Sequence, residues 1–239
     1  MPLPTLVVPS YELILPSTEK PIKYRPFVVK EEKLLLLALE SGKNEEITTA
    51  IKTIISNCIQ TKGIKVETLP IFDIEYIFLN IRSKSVGEEV ELKVICPDDE
   101  TTKVDVKINL DDVKVTKNPE HTRQIKLNNK MVLELKYPSL NQFINSNFNV
   151  EGLSADLAFS MIVECIDKLY DDDEVYAFND YTKEEWTQFI DSMNSSVFKK
   201  IENFFETMPK LSHKIKVTNP VTKVEGEVTL EGLSDFFMS

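Results

Sequence analysis

The sequence predicts an α+β protein in which N-terminal, central and C-terminal β-hairpins pack with amphipathic helices. Three observations carry this expectation. Apolar residues recur at the 3.6-residue helical period over 44–60 and again over 157–169. They alternate with charged residues over 90–96 and 104–110, the period of half-buried strands. The period also switches along the chain, from helix to hairpin near residue 88 and back to helix in the second half.

The elements follow in order. Tyr11-Glu12-Leu13-Ile14-Leu15 and Ile22-Lys23-Tyr24-Arg25 flank the turn-rich stretch Pro16–Pro21, which reads as a hairpin ended by Pro26. Glu31–Ser41 reads as a short helix stopped by Gly42. In the next helix, Ile47, Ala50, Ile51, Ile54, Ile55, Cys58 and Ile59 trace a single stripe, with Gly63 beyond it. Pro70 opens a third helix to about Arg82, because proline in a first turn forfeits no hydrogen bond. Val90, Leu92, Val94 and Cys96 then alternate with charges, as do Val104, Val106, Ile108 and Leu110 across the turn Pro97–Thr102. Gln124–Leu127 and Met131–Tyr137 form a further hairpin around Asn128-Asn129-Lys130.

The second half is expected to be helical. Ser139 caps a short helix over 140–145, and Ser154 caps a longer one whose stripe runs Leu157, Ala158, Met161, Ile162, Cys165, Ile166, Leu169. Thr182-Lys183-Glu184-Glu185 is a capping box for a helix burying Trp186, Phe189, Ile190 and Met193. Ser195 starts another, with Phe198, Ile201, Phe204, Phe205 and Met208 inward and Pro209 as its stop. The chain closes with a hairpin, His213–Thr218 and Lys223–Leu230, and an aromatic tail. This organisation suggests a mixed hairpin and helix domain over 1–138 and a helical region over 139–211 that reads as an insertion. Residues 212–239 would then return to the first domain.

Composition removes several function classes. The chain has 239 residues, enough to bury a core without disulfides or metal. Its six glycines, at 42, 63, 87, 152, 226 and 232, never fall closer than six positions, so no dinucleotide-binding glycine loop exists. Ser41-Gly42-Lys43 is not a phosphate loop, since Leu37 stands where the first glycine belongs and Asn44 replaces the magnesium-binding hydroxyl. With only His121 and His213, a multi-histidine metal centre is not expected. The net charge of −11 argues against binding to nucleic acid and for charge-steered protein partners. Cys58, Cys96 and Cys165 are far apart and read as buried reduced thiols of a cytosolic protein. The longest aliphatic run, Leu34–Leu39, is far short of a membrane span, and Met1-Pro2-Leu3-Pro4 does not open a signal peptide.

Few residues carry candidate chemistry. Asp171-Asp172-Asp173-Glu174 is the sharpest charge cluster, read as a solvated interhelical loop able to meet a basic partner. It fails as a calcium loop, because its sixth and twelfth positions are Tyr176 and Thr182. The enzymatic alternative is a divalent-metal-dependent hydrolase built on this loop. His121 and His213 lack a neighbouring nucleophile and read as surface residues. Cys96-Pro97 sits at a hairpin turn as in a zinc ribbon, but the other turn, Thr218-Asn219-Pro220-Val221, has no cysteine, so no structural zinc is expected. Phe236, Phe237 and Met238 are candidates for a docking tail, or else fold back onto the last hairpin.

Five segments in register carry a family resemblance. They are Tyr24–Lys33, Leu69–Tyr76, Lys84–Leu92, Leu135–Ser139 and Leu230–Phe237. Together they resemble the baseplate hub subunit and hub assembly proteins of T4-type tailed bacteriophages. The resemblance implies a structural or assembly role in the central hub of a contractile tail, with other tail and baseplate hub proteins as partners. It implies no substrate, cofactor or catalytic residue. It places the protein in the host cytoplasm during assembly and leaves two fates open, a component of the virion tail baseplate or a transient assembly factor.

Overall fold

A computed structural model of the chain describes residues 6–140, 142, 155–172 and 174–237. The α+β expectation holds, with small antiparallel sheets accompanied by helices. The chain forms two compact units, Met1–Thr116 with Lys210–Ser239, and Lys117–Pro209.

The first unit opens with β1 (Tyr11–Ile14) and β2 (Pro21–Tyr24), paired antiparallel with Leu13 opposite Ile22. Their connecting turn is tied to the first turn of the third helix. The fully buried Asp73 carboxylate accepts the Ser17 N–H at 3.0 Å and the Ser17 hydroxyl. Helix α1 (Val29–Ser41) begins where Glu31 turns back to accept the Val28 N–H at 3.0 Å. The same carboxylate pairs with the Arg25 guanidinium at 3.0 Å. Burial alone would raise the Glu31 pKa, but these partners together bring it below its ordinary value. Gly42 ends α1 at φ 65°, a left-handed position that favours glycine.

Helix α2 (Asn44–Cys58) buries Ala50, Ile54, Ile55 and Cys58, four members of its predicted stripe. Helix α3 (Ile71–Val86) is buried over Ile74, Ile77, Phe78 and Ile81, with Leu79 widening the apolar face. Strands β3 (Glu89–Ile95) and β4 (Lys103–Asn109) form the predicted hairpin, with Val90 opposite Ile108 and Leu92 opposite Val106. A short strand β5 (Lys114–Thr116) was not expected. It pairs with β10 (Lys210–Thr218), which also pairs with β11 (Glu225–Glu231). One core joins these elements through Leu79, Val90, Leu92, Val94, Ile108, Leu110, Leu211, Val217 and Leu230.

The second unit holds a four-stranded sheet in the order β6 (Gln124–Lys126), β7 (Met131–Leu135), β8 (Ile166–Asp171), β9 (Glu174–Ala177). Helices α4 (Ala155–Glu164), α5 (Lys183–Asp191) and α6 (Ser195–Thr207) accompany it. Two expectations are corrected here. The helix expected through Leu169 stops at Glu164, and 166–171 is a strand. Cys165, Ile166 and Leu169 fit a helical stripe, but the open edge of β7 takes this segment as a partner, with Leu133 opposite Leu169. The acidic cluster therefore lies where two paired strands meet, with Asp171 opposite Glu174, and not between helices. The helix expected over 140–145 lies largely outside the described residues, and Ser154 lies wholly outside them.

The capping box at α5 is present as read. Thr182 Oγ1 accepts the Glu185 N–H at 3.2 Å, and Glu185 Oε2 accepts the Thr182 N–H at 2.8 Å. Helix α6 starts at Ser195 as expected and is capped by Asn194, whose Oδ1 accepts the Ser196 and Val197 N–H groups. The core contains Ile125, Leu133, Leu135, Ile166, Trp186, Ile190, Ile201 and Phe204. No helix among the described residues is long and apolar enough to cross a membrane.

Candidate functional site

Three segments that sequence reasoning singled out are the acidic cluster, the paired hairpin turns and the C-terminal residues. The first is the acidic turn of the second unit. Asp171 ends β8 and Glu174 begins β9, directly opposite each other. Asp172 occupies a left-handed conformation at φ 46°, which aspartate tolerates better than most residues. Its carboxylate meets Lys130 Nζ at 2.7 Å. Lys130 is held by its own turn, in which Asn128 Oδ1 accepts the Lys130 and Met131 N–H groups, both at 2.8 Å. The Asn128 turn and the facing ends of β8 and β9 thus form a shallow depression lined by Asn128, Lys130, Met131, Asp171, Asp172 and Glu174. Asp173 lies outside the described residues. Among the described residues no group of three or more His, Cys, Asp or Glu side chains could hold a metal ion. The hydrolase alternative therefore finds no metal-binding group among the described residues.

The second place joins the two hairpin turns of the first unit. The Asn219 side chain is fully buried. Its Nδ2 lies 3.0 Å from Asp98 Oδ1 and 3.0 Å from Asp99 Oδ2. Its Oδ1 accepts the Val221 N–H at 2.8 Å and so also shapes its own turn. Thr222 donates its hydroxyl to Asp98 at 2.5 Å. Asp99 accepts the Thr102 hydroxyl at 2.5 Å and the Thr102 and Thr101 N–H groups. Those bonds, the Thr102 hydroxyl first, hold the Asp99 carboxyl well below the usual carboxylate range. The Thr222 and Asn219 bonds lower Asp98 in the same way.

A zinc ribbon places four thiolates at a pair of hairpin turns. Here two carboxylates and an amide make the connection, and Cys96 is a buried thiol whose pKa is raised by desolvation. Close backbone approach belongs to the same arrangement. A Cβ on Gly226 would lie 2.6 Å from Pro97 Cγ, so β11 needs glycine where it passes this turn. Sequence reasoning missed Asn219 as the connector. Its signal was Asn-Pro at a turn, which marks the turn but not the partner across it.

The third place is the C-terminal segment, a short helix α7 (Gly232–Phe237) rather than an irregular tail. Phe236 is fully buried in the core of the first unit and presents no surface to a partner. The Phe237 side chain and Met238 lie outside the described residues. Glu75 of α3 reaches the start of α7, where Oε1 accepts the Leu233 N–H at 3.3 Å. Burial, with smaller contributions from Asp235 and Glu231, pushes the Glu75 carboxyl up to about 7.

His121 needs a correction of its own. It is half-buried rather than a surface residue, because the hairpin and α6 enclose it. Nδ1 lies 3.0 Å from Thr207 Oγ1 and Nε2 lies 3.1 Å from the Tyr137 hydroxyl. Its ring stacks on Tyr137 and tilts against Phe204. Burial, then the nearby Arg123 charge, lowers its pKa. The Thr207 hydroxyl donates its proton to the Asn203 carbonyl at 2.6 Å, so His121 is not placed as its base, and the imidazole serves the packing of the second unit.

A family model described as T4 bacteriophage base plate protein matches residues 8–238. Comparison with curated proteins and with solved structures finds no match.

Proposed function

The chain belongs to the T4 bacteriophage base plate protein family, and from that premise we propose that it builds or helps assemble the central hub of the baseplate. A structural role in the phage baseplate, with other baseplate and tail proteins as partners, follows from the family itself. The hub assignment and action through protein–protein contacts alone, without catalysis, go further. The observation that carries the reading is the family match across nearly the whole chain, with the five hub-like segments inside it.

The geometry supports this reading in two ways. The polar clusters of the first unit are spent on joining its own turns, and the half-buried histidine of the second is spent on packing. The acidic segment, by contrast, faces solvent at the exposed Asp172 beside the half-buried Asp171, on a chain of net charge −11. Such a segment suits a basic patch on a neighbouring tail protein, where complementary charge speeds encounter and fixes orientation.

The test is affinity capture of tagged protein from infected cells, followed by mass spectrometry and comparison with finished particles. Hub components are expected in the captured material. Recovery of no tail proteins overturns the hub reading. Presence in finished particles marks a virion component, and capture from the host cytoplasm alone marks an assembly factor. Asp171→Lys with Asp172→Lys is expected to reduce capture without unfolding the chain.

A further inference from the structure

Helix α1 is apolar on two opposite sides. Residues three, four and seven apart share one face of a helix. The inward set is Glu31, Leu34, Leu35 and Ala38, with Glu31 and Ala38 buried and the two leucines half-buried. The outward set has the same spacing: Lys33, Leu36, Leu37 and Glu40. Leu36 is 55% exposed and Leu37 is 54% exposed, with Val29 on the same side at 78%. A helix that is apolar on both sides is ordinarily covered on both. Among the described residues of the first unit nothing covers Leu36 and Leu37, and neither Lys33 nor Glu40 has an ion-pair partner among them.

The order of the outward residues identifies what fits. Lys33 and Glu40 stand at equal distances either side of the Leu36-Leu37 pair, with opposite charges. An identical helix laid antiparallel across it, about a two-fold axis between Leu36 and Leu37, sets Lys33 against Glu40 at both ends. The same operation sets Leu36 against Leu37 twice. A two-fold contact uses one patch on both molecules and must be complementary to itself. This face meets that requirement in charge and in apolarity together. A parallel arrangement would oppose lysine to lysine and glutamate to glutamate. We propose that the outward face of α1 is a self-association surface, on which a second copy of this chain packs antiparallel through Lys33, Leu36, Leu37 and Glu40. This goes beyond the hub reading and does not rest on it.

A single helix pair lies at the small end of specific interfaces, so a dissociation constant of roughly 1–100 µM is expected. Sedimentation velocity of the full chain from about 1 µM to about 500 µM spans that range. The mass is expected to double with concentration. Lys33→Glu sets like charges together at both ends and is expected to weaken the dimer by about tenfold or more. Glu40→Lys should do the same. The double variant Lys33→Glu with Glu40→Lys restores both pairs and should return association to within about threefold of the original.

Leu36→Ser with Leu37→Ser should abolish association. All four side chains are exposed, so melting temperature and circular dichroism should stay unchanged and separate lost association from lost folding. A monomer throughout the range overturns the proposal, even if another baseplate protein binds the same face. So does a dimer indifferent to Lys33→Glu, or a double variant that fails to recover.

Discussion

The side-chain amide of Asn219 lies 3.0 Å from the carboxylate of Asp98, across 121 residues of chain. The contact joins the turns of two hairpins that share one core, and both ends of it are inside the same unit. Removing one partner of a hydrogen bond leaves the other unsatisfied, here the Val221 N–H and the Asp98 and Asp99 carboxylates. Asn219→Ala removes the connector and leaves Asp98 and Asp99 facing each other, with a loss of about 2 kcal/mol expected in urea denaturation. Asn219→Asp should cost more, because it adds a third carboxylate to the same place. A variant as stable as the parent contradicts this role.

Gly226 tests the same region from the backbone side. Alanine there meets the Pro97 ring at 2.6 Å, and a proline ring has little freedom to yield. Gly226→Ala should destabilise the first unit by about 1–3 kcal/mol. Pro97→Ala in the same chain should recover a good part of that loss. The non-additivity of a double-mutant cycle measures it.

Glu75 predicts a dependence on pH. Its carboxyl rises from an ordinary 4.5 to about 7 in the folded chain, chiefly by burial, with Asp235 and Glu231 adding repulsion. The folded state therefore holds a proton that the unfolded chain releases. The associated stability is fully present below about pH 4.5 and is lost as pH rises through about 7. Glu75→Gln keeps an oxygen for the Leu233 N–H and removes the charge. The expected result is a gain of about 2 kcal/mol at pH 8 and a flatter profile between pH 5 and 8, read from melting temperatures. An unchanged profile contradicts the assignment.

All three cysteines are buried. Burial pushes the Cys58 thiol up to about 11 and the Cys165 thiol up to about 12, so little thiolate exists near neutrality. A thiol-reactive dye should label none of them in the native chain at pH 7.5 and all three after unfolding in denaturant. Rapid native labelling of any one would show that its segment opens.

Much of this fold was legible because the pattern of apolar residues sets the elements. The α2 stripe through Ala50, Ile54, Ile55 and Cys58 and the β3–β4 alternation appear where their periods placed them. So does the Thr182–Glu185 cap, whose reciprocal bonds are entirely local. What escaped depends on partners distant in sequence. Ile166–Asp171 satisfies a helical stripe in isolation and becomes a strand only because β7 offers an unpaired edge. Asn219 looks like any turn asparagine until Asp98 stands opposite it, and His121 looks solvated until Tyr137 and Phe204 close on it. The acidic cluster was visible at once, but its register as a two-strand turn beside Lys130 was not.

The pairing of β5 with β10 also orders events during synthesis. Thr116 lies opposite Lys210, so the edge that β5 presents has no partner until the ribosome has passed residue 210. Leu211, Val217, Leu230 and Phe236 reach the first core later still. Residues 117–209 have by then left the exit tunnel and can fold ahead of the unit that precedes them. A chain interrupted before its last hairpin lacks one wall of that core and both members of the Asn219–Thr222 clasp. Premature termination should therefore yield a product fit for proteolysis, not a partly working subunit that could poison a multi-component particle.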